Sequence, residues 1–160
     1  MKGLVITIGA VAAALSLTFG LSNALASSSS ASAATKVGTA SSTLGRILVD
    51  ARGRTLYLFA RDRNGKSACS GSCAVYWPPL IASGKPRAVA GAKASLLGTT
   101  RRADGRLQVT YRRHPLYRYT GDAQKGQTNG QGLDLSGGKW WVLSPAGNKI
   151  VKSATGNGGY

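Results

Sequence analysis

GRILVDARGRTLYLFARD, from Gly45 to Asp62, and GRLQVTYRRHPLYRYTGD, from Gly105 to Asp122, are two copies of one pattern sixty positions apart. They align without a gap, sharing Gly-Arg, a Val at the fifth place, Leu-Tyr, an aromatic two residues later and a final Asp. A repeat at fixed offset decides the architecture before any other signal, because neither unit alone can bury its apolar side. In the second copy Leu107, Val109 and Tyr111 alternate with Arg106, Gln108 and Thr110, the period of a half-buried strand. Arg112 to Pro115 then predicts a turn and Leu116 to Thr120 a return strand. In the first copy Ile47 to Val49 leads through Asp50-Ala51-Arg52-Gly53, a good turn composition, into Thr55 to Phe59. That return strand is apolar on both faces, which predicts a central position.

The duplication extends past the hairpins. Trp77 stands fifteen residues after Asp62 and follows Tyr76; Trp141 stands nineteen after Asp122 and follows Trp140. Trp77 and Trp141 are therefore the expected aromatic core of the two halves. The intervening segments differ in chemistry: one holds Cys69 and Cys73, the other relies on glycine-permitted turns. A short helical turn is expected only near Ala92 to Leu97. The fold expected is all-β, two hairpin-based repeats (44–97 and 98–152) forming a small sandwich or partly closed barrel with approximate internal two-fold symmetry.

Residues two apart on a strand point the same way, so Tyr57 with Phe59, and Tyr117 with Tyr119, each present paired rings on one face. Asp62 and Asp122 fall just beyond those strands, where a carboxylate accepts hydrogen bonds from turn amides and can organise the loop leading to the Trp-bearing strand. The competing reading is a pair of pseudo-symmetric pockets in which tyrosine rings and one carboxylate hold a cation, a sugar or a small apolar ligand.

Outside the repeats the chain changes character. Residues 1–26 combine an early Lys2, an apolar run from Leu4 to Phe19 and a small-residue end at Ala24-Leu25-Ala26, which reads as a secretory signal. Residues 27–43 are rich in Ser, Ala and Thr and read as a flexible spacer, and 153–160 as a flexible tail. The two cysteines, Cys69 and Cys73, are expected to form a disulfide in an oxidising compartment; a redox pair or half of a metal site is the sharper reading. With 21 Lys and Arg against five Asp and no Glu, the formal charge is +16. Such a field attracts polyanions, less so as salt rises. Arg101, Arg102, Arg112 and Arg113 are the expected anion-contacting surface. Nucleic-acid contact is expected to be non-specific only, since the alternation turns the aromatics inward.

The doubled Tyr-x-aromatic-x-x-Asp, the Cys69-x-Gly71-x-Cys73 followed by Trp77-Pro78-Pro79-Leu80, and LGTTRRADGRLQVTY at Leu97 to Tyr111 together resemble a bacterial family of secreted repeats with a Tyr-x4-Asp motif, often predicted to be lipoproteins. The resemblance covers Leu44 to about Gly147 and implies an extracytoplasmic domain without implying a reaction. No cysteine stands at the processing site to carry a lipid, so membrane attachment is expected only through an uncleaved signal.

Enzyme signatures fit poorly. Ala60-x4-Gly65-Lys66-Ser67 has Ala where a phosphate loop has its first glycine and lacks the following helix. The one histidine, His114, lies in a predicted turn. No spacing marks a metal site, and no cofactor is expected. The expected function is a secreted, non-catalytic cell-envelope or extracellular module whose basic surface engages an anionic cell-surface polymer or an envelope protein. A redox-related or metal-binding accessory role, through the cysteines or the Tyr/Asp motifs, is the alternative.

Overall fold

A computed structural model of the chain describes Gly3 and residues 33–152. The expected signal and the expected tail lie outside these residues, Gly3 apart. The described part is built from strands β1 (Lys36–Ser42), β2 (Gly45–Asp50), β3 (Tyr57–Phe59), β4 (Arg87–Ala88), β5 (Leu97–Arg101), β6 (Leu107–Tyr111), β7 (His114–Pro115), β8 (Asp134–Leu135) and β9 (Gly138–Val142). One short helix, α1 (Ser72–Tyr76), and a 3-10 turn at Ala94–Leu96 complete it. The strands form three small sheets, ordered β2-β1-β4, β3-β9-β8 and β5-β6-β7, and no barrel closes among the described residues. The architecture is a partly closed β sandwich made of two repeats.

The first repeat begins earlier than its composition suggests. Lys36–Ser42, within the expected spacer, is a strand paired along its length with β2, from Val37 opposite Asp50 to Ser42 opposite Gly45. Val37 is fully buried, so a strand poor in apolar residues is held by ladder bonds and one anchoring side chain. The second repeat builds the same hairpin from β5 and β6. Gly45 and Gly105 take the same place in the two turns, with φ of 96° and 81° that glycine adopts without a Cβ penalty. Val37-Gly38-Thr39 and Leu97-Gly98-Thr99 are sixty apart, the offset of the larger repeat, which is the signal that marks β1 as part of the fold.

The return strands cross between the halves. β3 leaves β2 after one bridge, Val49 opposite Thr55, and pairs with β9, Tyr57 opposite Val142 and Phe59 opposite Trp140. In the other half, Tyr117 bridges Pro79, and Thr120 and Arg118 donate backbone N–H groups to the carbonyls of Tyr76 and Pro78 at 3.0 and 2.9 Å. Pro78 and Pro79 have no N–H to give, so this pairing stays a set of separate bonds where β3 and β9 form a ladder. At the centre Tyr57 and Tyr117 exchange N–H···O bonds of 2.9 and 3.0 Å, each residue meeting its own counterpart. That exchange marks the approximate two-fold axis. β3 stands at the end of its sheet, with only Tyr57 bridged on its free side, but it is covered on both faces: Tyr57 and Phe59 face one core with Trp77, Trp140 and Val142, while Leu56 and Leu58 face a second with Val109, Tyr111 and Leu143.

Two expectations for the strands need correction. β6 is covered on both faces, so Gln108, expected to point outward, is fully buried, and Leu107 at its end is 39% exposed. His114–Pro115 forms β7, leaving Arg112 and Arg113, at φ 47° and 66°, as the turn itself.

Candidate functional site

The motif tyrosines and aspartates come together, but across the repeats. Tyr57 of the first repeat donates its hydroxyl to Asp122 Oδ2 of the second at 2.6 Å, and Tyr117 of the second donates to Asp62 of the first at 3.0 Å. Each aspartate also accepts a backbone N–H from its own following loop: Ala68 to Asp62 at 2.8 Å, Asn129 to Asp122 at 2.9 Å. One carboxylate thus fixes a loop and ties it to the opposite half. Both tyrosines are fully buried, so they do not line an open cleft. Burial pushes both phenols above their ordinary range, with the neighbouring carboxylates adding to the shift. Burial likewise raises Asp122 and carries Asp62 up to about 6, against the hydrogen bonds that lower each.

The rings fill the space between these pairs. Trp77 and Trp140 stack face to face at 3.9 Å and 1°, with Tyr119 stacked on Trp77 at 4.3 Å and Phe59 on Trp140 at 4.1 Å. Tyr57 stands edge-on to Trp77 at 5.4 Å and Tyr117 edge-on to Trp140 at 5.1 Å. Trp140, not Trp141, is therefore the counterpart of Trp77. Trp141 points to the other face of β9, half-buried, with Lys149 Nζ 5.8 Å from its ring centre. Sequence position could not choose between adjacent tryptophans; the register of β9 against Phe59 does. Gly130 is required here, since a Cβ would come within 2.7 Å of Trp77 and 2.9 Å of Tyr57. Its N–H reaches the Tyr57 hydroxyl at 3.2 Å.

Arg102, expected at the anion-contacting surface, is buried instead, at 8% exposure. Its guanidinium donates to Ser67 Oγ at 2.9 Å, Gln108 Oε1 at 2.6 Å and the Cys69 carbonyl at 2.7 Å. Ser67 in turn lies 2.8 Å from the Tyr117 hydroxyl. Its two terminal nitrogens bond these neutral acceptors, while its Nε has no hydrogen-bond partner and lies 3.6 Å from Asp104 Oδ2, so the buried guanidinium bolts β6 to the cysteine loop. Its location follows from the burial of Gln108, which strand alternation had placed outside. The cysteine loop itself is closed by the Cys69–Cys73 disulfide, with Cα atoms 5.3 Å apart.

Arg101, Arg112 and Arg113 are exposed. Arg112 bonds the Asn148 side chain, and Arg101 the Gly105 carbonyl at 2.7 Å. His114 is half-buried and lines a cavity of about 320 Å³ with Asp62, Asn64 and Arg113; burial and Arg112 hold its pKa below the usual value. Among the described residues no group of three or more His, Cys, Asp or Glu could hold a metal ion. A groove of about 1280 Å³ lies between β4 and β5. Lys36, Lys85 and Arg87 line it without any acidic residue, over an apolar floor that includes Val89 and Leu107.

The family described as a secreted repeat of unknown function matches the chain twice, at residues 38–81 and 98–144, together more than half its length. This chain belongs to that family. The two matches coincide with the two structural repeats, and the first includes most of β1. No curated protein and no solved structure matches the chain. Among the described residues no helix is long and apolar enough to cross a membrane.

Proposed function

We propose that this member of the secreted-repeat family is a non-catalytic extracellular module that holds anionic polymers of the cell surface in the groove between β4 and β5. The observation carrying this reading is how the carboxylates are used. Asp50 is buried and paired with Arg118 at 2.7 Å and Arg54 at 3.3 Å. Burial pushes its carboxyl up, but the amides of Arg54 and Arg52 and the Arg118 guanidinium outweigh that and hold it low. Asp62 and Asp122 face the tyrosines, Asp104 pairs with Arg106 at 2.7 Å, and Asp134 lies 3.7 Å from Lys139. Every acidic side chain is engaged at its own position, so none offsets the cations of the groove. Lys36, Lys85 and Arg87 are exposed there. An extended polyanion would meet charge along the rim and apolar contact on the floor.

The test is retention of the protein on an immobilised acidic polysaccharide as salt is raised. The triple change Lys36→Gln, Lys85→Gln, Arg87→Gln should elute at clearly lower salt than a control triple at the exposed Lys66, Lys125 and Lys152, which removes the same charge elsewhere. Equal elution of the two triples would place the attraction in net charge alone and overturn the groove as the site.

A further inference from the structure

Phe59, Trp140, Trp77 and Tyr119 form one continuous column of four rings, with successive centroids 4.1, 3.9 and 4.3 Å apart and planes within 25°. The column begins on the half-exposed Tyr119 and runs through the buried core. Apolar packing accounts for rings in contact. It does not account for the carboxylates bonded to the tyrosines that stand edge-on to the column. A buried phenol needs only a neutral acceptor, such as a carbonyl; a carboxylate carries a desolvation cost that a carbonyl does not. Asp122, 5% exposed, has no cation among its hydrogen-bond partners, which are Tyr57 and the Asn129 amide. A carboxylate differs from a carbonyl in one chemical respect that matters here: it is a base.

We propose that Tyr57 and Asp122 form a proton-coupled one-electron redox site, reached through Trp77 and Tyr119 by an outer-sphere one-electron oxidant at the surface. The oxidant takes one electron at Tyr119, and the vacancy passes over the stacked Trp77 to Tyr57. Tyr57 loses the electron as its O–H bond breaks, and the proton crosses the 2.6 Å hydrogen bond to Asp122 Oδ2. The balance is phenol plus carboxylate plus oxidant giving neutral phenoxyl radical, carboxylic acid and reduced oxidant. No proton leaves the protein. A one-electron reductant reverses every step.

Two further observations fit this assignment. Trp77 Nε1 is buried without an acceptor, so an oxidised Trp77 has nowhere to deliver its proton and acts as a relay, not a stopping point. Trp140 Nε1, by contrast, donates to the Leu135 carbonyl at 3.0 Å. The Tyr117–Asp62 pair is the poorer terminus. Its bonds are 3.0 and 3.2 Å, its hydroxyl is shared with Ser67, and the Arg102 cation is bonded to that same serine, disfavouring a neighbouring positive vacancy.

The experiment is flash photolysis with photogenerated tris(bipyridine)ruthenium(III) as oxidant, in protein carrying Tyr76→Phe and Tyr160→Phe so that these tyrosines cannot report. Transient absorption separates neutral tyrosyl from tryptophanyl radical cation. The expected result is a tyrosyl radical whose rate of formation does not depend on buffer concentration, because its proton acceptor is internal. Asp122→Asn should lower its yield about a hundredfold and let the tryptophanyl cation accumulate, while Asp62→Asn leaves it unchanged. A tyrosyl yield that survives Asp122→Asn overturns the proposal. So does a rate that rises with buffer base, or a signal lost in Tyr117→Phe; these two readings decide the matter even if Asp122→Asn does not fold.

Discussion

The two Tyr–Asp pairs come from one motif and have become different objects. Tyr57–Asp122 is a short, dry pair that faces the ring column and the Gly130 amide. Tyr117–Asp62 is longer and reaches, through Ser67, a polar network of Arg102, Gln108 and the Cys69 carbonyl. The motif supplies the cross-repeat bond in both cases. What surrounds it differs because Gln108 has no polar counterpart across the axis and Arg102 no charged one: at the sixty-residue offset Gln108 aligns with Leu48 and Arg102 with Ser42, so β2 carries an apolar side chain where β6 carries an amide. Duplication therefore fixes a joint, and divergence of its neighbours decides whether the joint is insulated or wired.

Breaking the wired side at its hub should have the largest effect. Arg102→Ala leaves Gln108 Oε1 and the Cys69 carbonyl without their donor and opens space beside β6, and about 3–4 kcal/mol of stability should be lost in urea unfolding. A loss under 1 kcal/mol would mean that water replaces the guanidinium and that the network is not buried in solution.

Removing one hydroxyl from each pair sharpens the contrast. Tyr57→Phe deprives a buried carboxylate of a charge-assisted bond and should cost about 2–3 kcal/mol. Tyr117→Phe should cost about 1 kcal/mol, since the partly exposed Asp62 can be hydrated and keeps the Ala68 amide. Equal costs would show the two joints to be energetically alike.

A pH dependence on the wired side is comparable in size to the loss of the Tyr117 hydroxyl. The folded Asp62 carboxyl holds its proton up to about 6, whereas an unfolded aspartate releases it near 4. Between those values the folded state binds more protons, so this group's contribution to stability falls as pH rises and is level above about 6. The groups around it are Tyr117, Arg102, Arg63 and, across the small cavity, His114 and Arg113. Subtracting the pH profile of Asp62→Asn from that of the parent cancels the titrations of His114, Asp50 and Asp104. The difference should decline by about 1–2 kcal/mol from pH 4 to 6, less than full linkage since Asp62 keeps some solvent contact. A flat difference would place Asp62 in ordinary solvent.

Much of this arrangement could be read from residue order. The sixty-residue offset, the alternation at Val109 and Tyr111, the two-faced apolar character of Leu56 to Phe59 and the nearness of Cys69 to Cys73 are local properties. Chain chemistry alone therefore fixed an all-β duplicated fold, the burial of the return strand on both faces and the motif residues. Three-dimensional packing decided the rest. Whether Trp140 or Trp141 enters the core depends on the pairing of β9 with Phe59, a contact more than eighty residues distant in sequence. Whether Arg102 is surface or bolt depends on both faces of β6 being covered. That Lys36–Ser42 is a strand depends on β2 supplying the ladder that its own side chains could not motivate. Above all, residue order places each tyrosine beside the aspartate five positions on, and the fold gives it the aspartate of the other repeat. A strand directs a side chain at i and a loop carboxylate at i+5 apart, so the bond can close only when a second copy brings its own carboxylate to the axis.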